Sequence, residues 1–176
     1  RKSFDLPTTA QGKIIVLRFE GAMNAAQIWV NGKSAGLFQG GYLPYVMDIS
    51  KLAVAGARNT VSVRLDNKDN PITGPKPLVD LDFNLYGGLY RGASLTIKDP
   101  LHITDAILAD KVASGGVFVT FPVVSPTRAL VRVETHVRNA GTTPRSFVLR
   151  TTLLTPDGRS VATSTTAAQR MAAGAD

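Results

Sequence analysis

The residues best able to do chemistry are concentrated in positions 80–91, which read Asp-Leu-Asp-Phe-Asn-Leu-Tyr-Gly-Gly-Leu-Tyr-Arg. The carboxylates of Asp80 and Asp82 and the amide of Asn84 can accept several hydrogen bonds at once. The Gly-Gly pair permits a bulge just before an alternating strand, Ser94-Leu95-Thr96-Ile97. The pattern indicates polar groups at a strand end. From spacing alone, capping of turn amides is their simplest role.

Two other patterns suggest metal sites at first sight, but neither has the residues at the spacing that such a site requires. Asp66-Asn67-Lys68-Asp69-Asn70 is only superficially like a calcium loop, because Pro71 stands where such a loop needs glycine and Pro77 stands where it needs a bidentate glutamate. The two histidines, His102 and His136, are far apart, and the chain has no cysteine to complete a zinc site. The sequence therefore predicts no metal site in this chain.

Composition removes several classes of function. The chain has 176 residues, 44% of them hydrophobic, and no cysteine, which excludes disulfides and thiolate nucleophiles. Its net charge of +7 is spread along the sequence without runs of like charge, so we expect no nucleic-acid partner. The longest aliphatic run is Ile14–Leu17, far short of the roughly 20 residues of a membrane helix, so we expect no membrane partner. The sequence does not indicate a cellular compartment.

The elements that must position these groups have strand periodicity. In Lys13–Glu20, Ile15, Leu17 and Phe19 face one way while Arg18 and Glu20 face the other. In Asn59–Asp66 apolar residues alternate with polar ones. Between them, Asn31-Gly32 suits the positive φ angles of a type I′ hairpin turn. Asp48–Leu52 is predicted to form a short helical turn capped by Asp48.

The strand pattern restarts near Asp99-Pro100. Four further strands are predicted at Val117–Phe121, 131–138, Ser146–Leu154 and Ser160–Thr166, and the Ala-rich tail from Ala167 to Asp176 lacks alternation. Strands separated by turns, without helices between them, indicate an all-β fold of two sandwiches, residues 1–99 and 100–176. Residues 100–176 provide about five strands where an immunoglobulin-like sandwich needs about seven. We therefore expect an incomplete second domain, and a chain starting at Arg1 that is part of a longer protein.

Several ordered motifs in residues 1–99 resemble glycoside hydrolase family 2, the β-galactosidase and β-glucuronidase group. They are Phe19-Glu20-Gly21, Trp29-Val30-Asn31-Gly32, Gly40-Gly41-Tyr42-Leu43-Pro44-Tyr45 and Gly87-Gly88-Leu89-Tyr90-Arg91. The resemblance implies a jelly-roll sugar-binding domain at 1–99 and part of an immunoglobulin-like β-sandwich at 100–176. In the family a catalytic (β/α)₈ barrel follows these two domains. Residues 100–176 match only by position and strand pattern.

The resemblance also implies one sugar contact. In family members, an aspartate shortly before the Gly-Gly element projects into the barrel's sugar pocket and contacts hydroxyl groups. Counting back from Gly87-Gly88 assigns this position to Asp82, with Asn84 beside it; Asp80 is a second candidate if the register differs. The resemblance implies no cofactor for this chain, and a sodium or magnesium ion in the parent enzyme.

Catalysis is expected to lie outside the chain. Glycoside hydrolysis usually needs two carboxylates about 5–5.5 Å apart for retention or 6.5–9.5 Å for inversion. The only glutamates, Glu20 and Glu134, fall in different predicted domains, and the family's catalytic Asn-Glu pair does not occur in the sequence. The chain is therefore expected to be the non-catalytic N-terminal part of a β-glycosidase. β-Galactoside is the first expected substrate; β-glucuronide competes, because Asp82-Phe83, Tyr86 and Gly88 fit the glucuronidase pattern.

Three kinds of partner and two other functions follow from this interpretation. The expected partners are the carbohydrate substrate of the parent enzyme, its catalytic barrel and a second copy of the parent in a homo-oligomer. The first alternative function is a free-standing, lectin-like carbohydrate-binding module. The second is a purely structural adhesion-type sandwich, against which the Gly-Gly-aromatic-Arg element and its upstream acids argue.

Overall fold

A computed structural model describes residues 1–68, 70, 72–73 and 87–176 of the chain. It divides into two compact units, Arg1–Asp99 and Pro100–Asp176. Across those ranges the structure consists of strands, turns and one 3₁₀ turn at Thr8–Ala10, so the all-β prediction is confirmed. None of the described residues forms a helix long and apolar enough to cross a membrane.

The described residues of the first unit form a sandwich of two antiparallel sheets. One sheet has the strand order β1-β6-β3-β4, and the other has the order β5-β2-β7. The strands are β1 Lys2–Asp5, β2 Ile14–Phe19, β3 Asn24–Val30, β4 Lys33–Gly40, β5 Tyr45–Asp48, β6 Arg58–Asp66 and β7 Ala93–Lys98.

Alternation along the strands builds the core of this unit. The side chains that point between the sheets are nearly inaccessible; Ile28 and Val30, for example, are 0% exposed. Their cluster takes members from both sheets: Ile15, Leu17, Phe19, Ala26, Ile28, Val30, Tyr45, Met47 and Ile49. Burying such side chains stabilises the fold by about 1.5–3 kcal/mol each.

Both turns predicted for the first unit are confirmed. Asn31 and Gly32 have φ angles of 50° and 78°, as a type I′ turn between β3 and β4 requires. After β5, the Asp48 carboxylate accepts a 2.8 Å hydrogen bond from the Ser50 amide. One helical turn follows, in which the Ala53 amide donates to the Ile49 carbonyl at 2.9 Å.

The second unit is built from four two-stranded antiparallel ladders, β8–β11, β9–β10, β12–β15 and β13–β14. The strands are β8 Leu101–Ile103, β9 Val117–Val124, β10 Ala129–Thr135, β11 Val137–Asn139, β12 Arg145–Phe147, β13 Arg150–Leu154, β14 Ser160–Thr165 and β15 Gln169–Met171.

Three strand predictions for this unit are wrong, and the eight strands exceed the five or so that were expected. Residues 131–138 are not one strand, because β10 pairs with β9 and β11 pairs with β8. Ser146–Leu154 is not one strand, because β12 and β13 pair with different partners, β15 and β14. The tail after Ala167 is not strandless, because β15 pairs with β12 there. At three residues, β15 is too short for its alternation to be visible in the sequence.

The apolar side chains of the second unit are mostly open to solvent. Phe121, Val124 and Val161 are 62%, 72% and 66% exposed. Of the apolar residues described in this unit, only Val137 is buried. A cleft of about 370 Å³ lies between β10 and the β13–β14 hairpin, with Val131, Val133 and Leu153 in its walls.

Candidate functional site

Asp80, Asp82 and Asn84, the residues predicted to bind sugar, lie outside the described residues. What the structure describes is the framework that holds both ends of their segment. This framework comprises the end of β6, the start of β3, the 40–45 loop and residues 87–91.

The two ends of the segment lie side by side. Strand β6 ends at Asp66, whose carboxylate accepts a 3.0 Å hydrogen bond from the Lys68 amide. Gly87 packs closely against the Asn67 side chain, because a methyl group built on this glycine would lie 2.7 Å from Asn67 Nδ2. Asn67 and Gly87 therefore lie close together near the end of β6.

Gly88 ties the returning chain to the start of β3. Its amide and carbonyl each form a 3.0 Å hydrogen bond with the backbone of Met23. Gly88 has a φ of 82°, a left-handed conformation that glycine adopts without strain. The anchor depends on backbone groups, which explains why the sequence shows it only as a Gly-Gly pair.

Tyr90 and Arg91 join two motifs that are almost fifty residues apart. The Tyr90 hydroxyl donates to the Gly41 carbonyl at 2.6 Å, and Arg91 Nη1 donates to the Tyr42 carbonyl at 3.1 Å. Gly21 leaves room for the tyrosine, since a methyl group there would lie 2.9 Å from its hydroxyl. The 40–45 and 87–91 motifs are thus one structural unit.

A pocket of about 250 Å³ opens beside this junction. Its polar side chains are amides and hydroxyls, and the residues that line it are neutral: Met23, Asn24, Gln39, Gly40, Gly41, Tyr42, Leu43, Tyr45 and Thr73. Tyr42 is 53% exposed at the pocket. Amides beside an aromatic ring suit a neutral, hydroxyl-bearing ligand better than an ion.

Tyr45 forms the buried wall of the pocket. Its ring stacks on Phe38 with a centroid distance of 4.8 Å. Its hydroxyl is buried and has no hydrogen-bond partner among the described residues. Burial, and secondarily the nearby Tyr90, raise the pKa of Tyr45 above its ordinary value, so the phenol stays neutral.

Both glutamates are engaged in ion pairs within their own units. Glu20 Oε1 lies 2.7 Å from Arg18 Nε, and Glu134 Oε1 lies 2.8 Å from Arg132 Nη2. In each pair the arginine stands two residues earlier and on the same face of the chain.

The described residues contain no group of three or more His, Cys, Asp or Glu side chains that could hold a metal ion.

Sequence reasoning missed Asn24 and Thr73 as pocket residues. Asn24 is 6% exposed, and its position as the first residue of an apolar strand was the available signal. Thr73 gave no such signal; it is held by a 2.7 Å hydrogen bond from Asn70 Nδ2.

Comparison with known proteins gives a consistent assignment. The sequence model of glycosyl hydrolases family 2, sugar binding domain, matches residues 1–100. A beta-glucuronidase of Formosa agariphila is 31% identical over 168 residues, covering 93% of this chain and 17% of that protein. A beta-galactosidase of Thermoanaerobacter pseudethanolicus is 32% identical over 114 residues, covering 64% of this chain and 15% of that protein.

The fold is shared with solved structures. A crystal structure of Bacteroides uniformis beta-glucuronidase superposes with a TM-score of 0.81 at 28% identity, covering 98% of this chain and 20% of that one. The β-sandwich prediction is thereby confirmed. The chain spans about a sixth of the length of the curated relatives it matches.

Proposed function

The chain belongs to glycosyl hydrolase family 2, and on that premise we propose that it is a non-catalytic region that shapes the sugar pocket of a longer β-glycosidase. The supporting observation is the anchored segment 68–86. Its ends are fixed by Asn67, Gly87 and the two hydrogen bonds between Gly88 and Met23. These contacts fix the points at which the chain leaves the sandwich after β6 and rejoins it before β7.

Asp82 is our proposed sugar contact, with Asn84 beside it and Asp80 as the alternative carboxylate. An ionised carboxylate accepts hydrogen bonds from sugar hydroxyls, and such charge-assisted bonds contribute roughly 1.5–3 kcal/mol. The neutral pocket lined by Asn24 and Tyr42 lies beside the base of the same segment. This arrangement is compatible with polar contacts at this end of the sandwich.

Bond cleavage is proposed to occur in a barrel domain elsewhere in the parent enzyme. The two glutamates support this, because they fall in different units and each pairs with an arginine of its own unit. The barrel is accordingly the proposed partner of this region, and a second copy of the parent is a further one. The exposed apolar strands of the second unit are compatible with such contacts.

Two substrate classes are proposed, β-glucuronides and β-galactosides. The sequence expectation put galactosides first. The relative named beta-glucuronidase matches 93% of this chain and the relative named beta-galactosidase matches 64%, at nearly equal identity. A second relative named beta-galactosidase, from Bacteroides ovatus, matches 92% of this chain at 26% identity, so the width of the match does not favour either class. Comparing kcat/KM of the parent enzyme on matched nitrophenyl β-glucuronide and β-galactoside separates the two classes.

A free-standing carbohydrate-binding module is the second candidate, favoured by the neutral pocket beside Tyr42. Calorimetry of the 176-residue chain with glucuronate, galactose and polysaccharides distinguishes the candidates. An accessory region should bind none of them measurably and should release no nitrophenol from either substrate. Micromolar binding by the isolated chain would favour the module, and hydrolysis by it would contradict both candidates.

A further inference from the structure

His136 of the second unit lies between two side chains of opposite charge. Its side chain is only 12% exposed, and its Nε2 atom is 3.5 Å from Asp176 Oδ2. The same nitrogen is 3.1 Å from Lys111 Nζ. Lys111 Nζ is in turn 3.4 Å from Asp176 Oδ1. Lys111 and Asp176 are the charged groups in contact with the imidazole.

Thr104 constrains the other ring nitrogen. The Thr104 hydroxyl accepts a 3.0 Å hydrogen bond from the Gly116 amide and donates one of 3.4 Å to the His136 carbonyl. Its oxygen also lies 2.9 Å from His136 Nδ1. A hydroxyl has one proton to donate and two lone pairs. If that proton goes to the carbonyl, Nδ1 must carry its own proton and donate to Thr104.

Lys111 fixes the choice between the two tautomers. An ammonium group only donates, so a hydrogen bond to Nε2 requires a lone pair on that nitrogen. A neutral imidazole with an unprotonated Nε2 carries its proton on Nδ1. The contacts at both ends of the ring therefore agree on the Nδ1–H tautomer.

We propose that protonation of His136 changes the hydrogen-bond partner of its Nε2 atom from Lys111 to Asp176. When Nε2 takes up a proton it can no longer accept from the Lys111 ammonium, and the two cations repel. The new N–H instead points to the Asp176 carboxylate, already 3.5 Å away. The proton comes from solvent, and no covalent bond other than N–H changes.

The backbone determines which partner moves. The His136 amide donates to the Gly116 carbonyl at 2.8 Å, and its carbonyl accepts from the Thr104 amide at 3.0 Å, so the ring stays in place. The Lys111 side chain is 43% exposed and has solvent to move into. Protonation therefore displaces the Lys111 ammonium from Nε2 and strengthens the contact of the ring with Asp176.

Imidazole ¹⁵N NMR of the 176-residue chain tests this. We expect the neutral His136 ring to carry its proton on Nδ1. When the pH is lowered until the ring takes up a second proton, the Lys111 side-chain resonances should shift together with those of His136. His102 is the internal control: its Nδ1–H donates to the Pro100 carbonyl at 3.1 Å, and changes in its ring resonances should not be accompanied by changes at Lys111.

The matched variant is Lys111→Met, which keeps most of the side-chain volume and removes the charge. Without the ammonium, the neutral ring should shift toward the Nε2–H tautomer that donates to Asp176, while His102 stays unchanged. An amide spectrum that is otherwise preserved shows that the variant is folded. An Nε2–H tautomer in the unaltered chain, or Lys111 resonances that do not follow His136, would overturn the proposal.

Discussion

The two units have similar strand periodicity but bury their apolar faces to very different extents. In the first unit, the inward faces of two sheets meet and enclose Ile28, Val30 and Ile49 at 0% exposure. In the second, the equivalent alternation leaves Val119 and Phe121 at 42% and 62% exposure. Alternation therefore determines which face of a strand is apolar, but not whether another element covers that face.

What the units have in common is a fully buried asparagine that satisfies loop backbone groups. Asn59 accepts from the Val54 amide at 2.7 Å and donates to the carbonyls of Val54 and Ala57 at 2.9 Å each. Asn139 donates to the carbonyls of Thr143 and Ala172 at 2.9 and 3.0 Å. Polar anchoring thus holds loops in both units, whereas a large apolar core is present only in the first.

The largest predicted effect on stability is in the core of the first unit. Ile28→Ala should lower the free energy of unfolding by about 2–5 kcal/mol, because it leaves a cavity where nothing is exposed. Val161→Ala, at a 66% exposed site of the second unit, should change it by less than about 0.5 kcal/mol. Fluorescence of Trp29, the only tryptophan, reports the first unit, and amide hydrogen exchange reports the second. Comparable losses of unfolding free energy in the two variants would contradict the difference in burial between the two units.

A smaller effect is expected at the buried asparagines. Asn59→Ala leaves the amide and carbonyl of Val54 without their side-chain partner, at a cost of about 1–3 kcal/mol in urea unfolding followed by Trp29. Asn139→Ala should instead accelerate amide exchange in residues 172–175 and leave the Trp29 transition unchanged. A shift of that transition in Asn139→Ala would mean that the units unfold together.

The hairpin turn should contribute less. Gly32 has a φ of 78° with open space around it, so Gly32→Ala adds backbone strain without a clash and should cost about 1 kcal/mol. Gly92→Ala is the matched control, because that glycine also has open space but no positive φ. Equal midpoints of thermal unfolding for the two variants would argue against the type I′ turn.

The smallest effect concerns the β13–β14 turn. Hydrogen bonds from Thr155, then Arg159, lower the pKa of the exposed Asp157. A lowered folded-state pKa stabilises the turn above the unfolded pKa, and this contribution is lost as the pH falls through the folded value. In carboxyl NMR titrations, Thr155→Val should raise the Asp157 pKa toward its ordinary value. An unchanged titration would exclude the Thr155 hydroxyl as the main cause.

The sequence was sufficient where local chemistry decides the structure. The type I′ turn follows from Asn31-Gly32, and the core face of β2 follows from Ile15, Leu17 and Phe19. It was insufficient where pairing partners decide. Strand β15 exists because its backbone pairs with β12, which no side-chain pattern of three residues reveals.

The candidate site could likewise be predicted from the sequence only in part. The Gly-Gly-aromatic-Arg motif predicted a specialised element, and the structure gives its physical reason in the contacts of Gly88 with Met23 and Tyr90 with Gly41. These pairings join distant residues through carbonyl groups, which every residue has, so sequence could not specify them. The roles of Asp80, Asp82 and Asn84 remain predictions.

The most direct test is kcat/KM of the intact parent enzyme carrying Asp82→Ala. Loss of charge-assisted hydrogen bonds to the sugar should lower kcat/KM at least about tenfold. Asp80→Ala tests the alternative register, and Asp157→Ala, in the exposed turn of the second unit, should have no effect. Near-wild-type kcat/KM for Asp82→Ala with an unchanged fold would contradict its assignment to the sugar pocket.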